Sequence, residues 1–176
     1  MSDPTPAETV RNAARGDREA FTTLLDSGMQ ATYRLTLAIT GNESDARDAA
    51  QETWISAWRH LKELKNETRF DTWIRRIAVN AARMTLRQRR VREVALSASA
   101  PDQTIEARTE DSDQLRRALA KLKVDERAVL ALFYLEDRSV ADLAAVLSVP
   151  EGTVKSRLNR ARANLREILE ADHELG

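Results

Sequence analysis

The chain has 176 residues, is 42% hydrophobic and 32% charged, and sets 28 Lys and Arg against 28 Asp and Glu. It has no cysteine, which excludes a disulfide framework, a thiolate metal site and a thiol redox sensor and suits a reducing cytoplasm. The opening MSDPTPAETV has no apolar core for a signal peptide, and no later stretch is long and apolar enough to span a bilayer, so a soluble cytoplasmic protein without a membrane partner is expected.

Few aromatics and five glycines favour helices over strands. Met1 to Pro6 reads as a disordered lead, and Ala7 to Ala14 as a short helix ending near Gly16. Asp17 suits the N-cap of a helix carrying Ala20, Phe21, Leu24 and Leu25, which Ser27-Gly28 is expected to end. Met29 to Thr40 then forms the next helix, stopped by Gly41. A further helix starts at Asn42 or Ser44 and runs to about Leu64, with Ala46, Ala50, Trp54, Ala57, Trp58 and Leu61 as its apolar row. Asp45, Asp48, Gln51 and Glu52 form the opposite face. Helix N-termini favour acids through the macrodipole, and no His or Cys accompanies these carboxylates. They are therefore read as a solvated face or a docking face for a basic partner, and not as a metal or acid–base site.

After the polar loop Lys65 to Thr68 comes RFDTWIRRIAVNAARMTLRQRRVRE, whose apolar row of Phe70, Trp73, Ile74, Ile77, Ala81, Met84 and Leu86 fades while the arginines continue. Arg69, Arg75, Arg76, Arg83, Arg87, Arg89, Arg90 and Arg92 face only Asp71 in this stretch. Such a run repels itself unless an anion lies beside it, so phosphate is expected there, although a solvated charge run is the plainer alternative. The interleaved Phe70, Trp73 and Asn80 suit unpaired bases.

From Glu93 the balance turns acidic, and Val94 to Ser112 has little apolar periodicity, reading as a flexible linker. Two amphipathic helices are expected over Asp113 to Leu122 and Glu126 to Leu135. In Ser139 to Leu169, Leu143, Val146 and Leu147 form one apolar face, Ser148-Val149-Pro150 breaks the pattern, and Val154, Leu158, Ala161, Leu165 and Ile168 resume it. The spacing predicts two short helices joined by a tight turn, with Pro150 opening the second and Gly152 permitting close approach. Lys155, Ser156, Arg157, Asn159 and Arg160 occupy the sides left over, offering donors to phosphates and base edges in a major groove. Histidines are confined to His60 and His173, and neither a glycine-rich phosphate loop nor a nucleophile elbow occurs. No catalytic residue, metal or cofactor is expected.

DARDAAQETWISAWRHL, RFDTWIRRIAVNAARMTLRQRR and RAVLALFYLEDRSVADLAAVLSVPEGTVKSRLNRARANLREIL together resemble, in that order, the core-polymerase-binding helix, the minus-10 segment and the minus-35-reading domain of bacterial extracytoplasmic-function (ECF) sigma factors. The chain departs from the family pattern at Ala49-Ala50, Val79 and Met84. The resemblance implies an all-α protein of two small helical domains: residues 1–93 for polymerase binding and minus-10 recognition, a flexible acidic linker over 94–112, and residues 113–176 with a helix-turn-helix for minus-35 recognition. It implies that Asp45, Asp48, Gln51 and Glu52 dock on the clamp helices of the largest subunit of core RNA polymerase, with a further contact to its flap. It also implies that the loop carrying Asn66 and Thr68, with Arg69, Phe70, Trp73, Arg76, Asn80, Arg83 and Arg87, meets the minus-10 element. Thr153, Lys155, Ser156, Arg157, Asn159 and Arg160 would meet the minus-35 element of promoter DNA, and an anti-sigma factor would hold the chain in check. The competing readings are a sigma mimic that titrates an anti-sigma factor, and a repressor using the C-terminal helices alone.

Overall fold

The computed structural model describes residues 5–96 and 110–174, and no strand occurs among them. Helix α1 spans Pro6–Ala14, with Thr5 and Glu8 forming a reciprocal capping box and proline in the first turn. Helix α2 spans Arg18–Thr40, started by Asp17, whose carboxylate accepts from the amides of Glu19 and Ala20 at 2.9 and 3.1 Å, and stopped at Gly41 with φ +71°. It does not end at Ser27-Gly28 as expected. A Cβ on Gly28 would lie 2.6 Å from the Trp54 ring, so this glycine makes room for an indole in mid-helix.

Helix α3 spans Glu43–His60 with Asn42 as its cap, and two single 3₁₀ turns, Leu61–Glu63 and Glu67–Arg69, lead into α4, Phe70–Leu96. The expected linker is helical at both ends: 94–96 form the last turn of α4 and 110–112 the first turn of α5, Glu110–Lys121. Val94-Ala95-Leu96 contains no helix breaker, which is why α4 passes the end of its apolar row. Residues 97–109, and the first four of the N-terminal lead, lie outside the described residues. Helix α6, Val124–Leu130, widens into a π-helical turn over Ala131–Leu135, and α7, Val140–Leu147, and α8, Glu151–Glu174, complete the chain.

A smaller core joins α1 to α4, built on Val10, Leu24, Trp54, Leu61 and Ile74. The larger core draws on both halves of the sequence. Leu35 and Ile39 of α2 and Ala78, Val79 and Ala82 of α4 belong to one continuous cluster with Val129, Leu132, Leu143, Val146, Val154 and Leu158. Helix α2 meets α6 and the π-helical turn, and α4 meets α7. The C-terminal helices therefore rest on the N-terminal ones through shared apolar surface, which fixes the setting of every basic residue singled out above.

Candidate nucleic-acid interface

On α3 the expected polar face divides. Asp48, Gln51 and Glu52 are exposed, whereas Asp45 is 8% exposed and pairs with Arg89 of α4 at 2.9 Å. One turn beyond Glu52, Ile55 is 36% exposed, and neighbouring Trp58 is 41% exposed with its ring edge-on to Phe21 at 4.8 Å. Trp58 shares the spacing of the apolar row but not its burial, whereas the other five residues of that row are buried. The helix thus offers three polar groups followed by two apolar ones. The i, i+3, i+7 spacing of Asp48, Gln51 and Ile55 was legible, but nothing local to Ile55 distinguishes it from core.

In the loop before α4, Asn66 accepts from the Thr68 amide at 3.0 Å and from its hydroxyl at 2.6 Å, so its carbonyl shapes the turn. Glu67 is clasped by Arg11 at 3.0 Å, and its own backbone amide together with that guanidinium holds its carboxyl below the usual range. Thr68 and Arg69 are exposed. Phe70 and Trp73 are only partly exposed, 6.0 Å apart between ring centres, and both pack on the smaller core, with Phe70 6.4 Å from Trp54.

The arginines of α4 separate into two sets. Arg87, Arg90 and Arg92 are exposed. Arg76, also exposed, donates to the Ala145 carbonyl at 2.7 Å, and the half-buried Arg83 pairs with Asp125 at 2.9 Å while also reaching the Asn80 side chain at 3.3 Å. Arg75 is enclosed between Asp71 and Glu136, and Arg138 in turn reaches Asp71 at 2.6 Å. The acceptors met by this part of the run therefore belong to the same chain, and Ala145, Asp125 and Glu136 lie 69, 42 and 61 residues from the arginines that reach them, too far for a local pattern to show.

At the other end, α7 and α8 are joined by Ser148-Val149-Pro150. Ser148 takes the left-handed conformation at φ +57° and the Val149 amide closes the turn on the Ala144 carbonyl at 3.1 Å. Ser139 and Asp142 cap α7 reciprocally, and the hydrogen bonds from Ser139 hold the Asp142 carboxyl below its ordinary pKa. On α8, Val154, Leu158 and Ala161 are buried. Lys155, Ser156, Asn159 and Arg160 are exposed, and Thr153 and Arg157 are half-buried. No atom comes within 4 Å of where a Gly152 Cβ would stand, so the backbone of the first turn is open to an approaching surface. Arg157 and Arg160 also line a cleft of about 420 Å³ with Lys123, Asp125 and Glu126.

Among the described residues no group of His, Cys, Asp and Glu could hold a metal ion. A larger apolar groove, about 1100 Å³, runs along α5, the π-helical turn and α8, lined by Leu115, Leu119, Tyr134, Leu135, Leu165 and Leu169. Leu115 and Leu135, on helices whose apolar faces would be expected to be covered, are 44% and 48% exposed.

Comparison with known proteins decides what these surfaces belong to. The models of sigma-70 region 2 and sigma-70 region 4 match residues 24–92 and 112–165. The ECF RNA polymerase sigma factor SigM of Mycobacterium tuberculosis is 35% identical over 93% of this chain and 84% of its own length. The chain belongs to the ECF sigma factors. SigW of Bacillus subtilis is 26% identical over 91% of the chain and 94% of that protein. Among solved structures, CnrH in complex with the cytosolic domain of CnrY matches with TM-score 0.73 and 28% identity, covering 96% of this chain and 99% of that one. In this ECF factor, region 2 comprises most of α2 together with the whole of α3 and most of α4, so it carries both the acidic face and the arginine run. Region 4 begins in α5 and ends within α8, taking in the exposed basic row.

Proposed function

We propose that this ECF sigma factor acts in the cytoplasm as the promoter-specificity subunit of RNA polymerase, without catalysis of its own. Asp48, Gln51 and Glu52, with Ile55 and Trp58 beside them, dock on the clamp helices of the largest subunit, while Asp45 supports that face from behind through Arg89. Asn66, Thr68 and Arg69 with Asn80, Arg83 and Arg87 address the opened minus-10 strand, Arg76 its phosphates. Phe70 and Trp73 carry the loop from below and do so through the core they share. Thr153, Lys155, Ser156, Arg157, Asn159 and Arg160 read the minus-35 element, and region 4 also contacts the polymerase flap. An anti-sigma factor restrains the chain, a reading supported by the similar CnrH being held in complex with the cytosolic domain of a second protein, CnrY.

The observation that carries this reading is the α8 face: a buried row of Val154, Leu158 and Ala161 turns Lys155, Asn159 and Arg160 outward over the second and third turns of a helix that opens on an uncrowded Gly152. Transcription reconstituted with core polymerase on genomic promoter fragments tests it. Discrete start sites that depend on the chain are expected, and their absence from every fragment refutes the reading. Asp48→Arg is expected to lower core-polymerase affinity by about tenfold or more, since like charge across a docking face costs at least 1.4 kcal/mol. Capture on immobilised core polymerase measures it, with far-UV circular dichroism reporting an intact fold.

A further inference from the structure

A cavity of about 540 Å³ lies beside the loop that precedes α4, bounded by the start of α1, the middle of α2, Trp54 of α3, the start of α4 and Glu136 from the C-terminal half. Val10, Leu24, Leu35, Phe70, Ile74 and Ala78 give it an apolar wall. Its size and lining fall in the range of small-molecule sites. One polar atom on that wall is out of keeping with the rest. Trp54 is 4% exposed, and its indole Nε1 is buried without a hydrogen-bond partner among the described residues. Cζ2 and Cε2 of the same ring stand 2.6 and 3.9 Å from where a Gly28 Cβ would be, and Gly28 also lines the cavity. Because Nε1 is bonded to Cε2, the N–H lies on the ring edge turned to the α2 wall. Indole is a donor only, and buried donors without an acceptor are rare in folded proteins.

We propose that this cavity is a binding site for a neutral, flat, ring-sized apolar molecule with one hydrogen-bond acceptor, an aromatic ketone being the simplest case, whose oxygen takes the Trp54 N–H. The lining defines each part of that description. Thr5, Ser27, Thr32 and Thr68 donate their hydroxyl protons to Glu8, the Leu24 carbonyl, the Gly28 carbonyl and Asn66. Against these four hydroxyls, it is the indole that still has a proton to offer. The charges are matched already: Arg11 holds Glu67, Arg75 lies between Asp71 and Glu136, and Arg138 also reaches Asp71. A charged guest would leave water for an apolar space with no free counter-ion, and an anion would in addition meet the carboxylates of Glu67, Asp71 and Glu136. Aromatic neighbours favour a flat guest, since Phe70 lines the cavity with its ring centre 6.4 Å from that of Trp54. The site is separate from the polymerase and promoter contacts proposed above, although Thr68 and Phe70 belong to the wall of one and to the loop of the other.

The test titrates the full chain with acetophenone and follows the indole N–H signals of Trp54, Trp58 and Trp73 in a proton–nitrogen correlation spectrum, with Trp54→Phe identifying the Trp54 signal by its loss. A saturable downfield shift of the Trp54 N–H is expected, the mark of an acceptor arriving at that donor. Ethylbenzene has nearly the same shape without the acceptor, and benzoate adds a charge. In competition with acetophenone each is expected to bind about tenfold more weakly. Ala31→Leu, at a half-buried position on the α2 wall, fills the space and is expected to lower acetophenone affinity about tenfold. Ala7→Leu does the same from α1, and circular dichroism identifies a variant that has lost its fold. A Trp54 signal that stays still up to the solubility limit overturns the site, as does a shift confined to Trp58 or Trp73. Affinity unchanged in a folded leucine variant puts the guest outside this cavity and overturns its location. Ethylbenzene or benzoate binding as tightly as acetophenone overturns the assigned chemistry.

Discussion

Helices α4 and α8 carry similar basic sequences and use them in opposite ways. On α4, Arg75, Arg76 and Arg83 end on a carboxylate or a carbonyl of the C-terminal half, and the helix is held across much of its length by residues far away in sequence. On α8, Lys155, Asn159 and Arg160 are exposed, and what fixes the helix is the buried row on its other side. The same guanidinium group stabilises the fold in one place and waits on the surface in the other. What lies opposite decides between them: α4 faces Asp125, Glu136 and the end of α7, and the first turns of α8 face solvent.

If the contrast is correct, α8 can lose its charges without loss of fold and α4 cannot. The largest effect belongs to Lys155→Ala combined with Arg160→Ala, which is expected to reduce minus-35-dependent transcription by about thirtyfold or more, from two lost contacts at about 1–3 kcal/mol each, with an unchanged melting temperature and unchanged core binding. Parallel loss of stability would mean that these side chains are structural. Arg75→Ala is expected to cost about 3 kcal/mol of stability, because it leaves Glu136, whose side chain is 7% exposed, without its buried partner; urea unfolding measures it.

Two smaller substitutions sharpen the comparison at the level of packing. Gly28→Ala drives a methyl into the Trp54 ring and is expected to destabilise by about 1–3 kcal/mol, accompanied by a shift in tryptophan fluorescence. Ser139→Ala removes the α7 cap and is expected to cost about 1 kcal/mol at neutral pH. The pH dependence follows from the lowered Asp142 pKa: its contribution is present above the unfolded value of about 3.9 and is lost as pH falls through the lower folded value. The Ser139→Ala deficit in an unfolding series is therefore expected to shrink below about pH 4.

Much of this molecule could be read along the chain. The helix starts at Asp17, Asn42 and Ser139, the stop at Gly41 and the break before Pro150 are local events, governed by a side chain reaching its own backbone or by a residue that accepts left-handed φ. The buried row of α8 followed from a period of three and four. Reading failed where a residue answered to something distant. Gly28 looked like a terminator because its purpose is a ring 26 positions away. Trp58 looked like core because periodicity gives direction and not cover. Asp45 shares the spacing of Asp48 but is buried, because Arg89, 44 positions away, pairs with it.

By itself, the sequence determined an all-helical chain in two charged halves, an exposed acidic face on α3 and an outward basic row on α8, because hydrophobic periodicity and capping act within a turn or two of the residues that encode them. Only the tertiary structure decided that α2 runs unbroken, that the halves share one core, and that Arg75, Arg76 and Arg83 are held by the chain's own acceptors. Those outcomes depend on which surfaces meet across more than 40 residues, and the pairing of one cation with one distant carbonyl or carboxylate leaves no periodic trace in a linear chain.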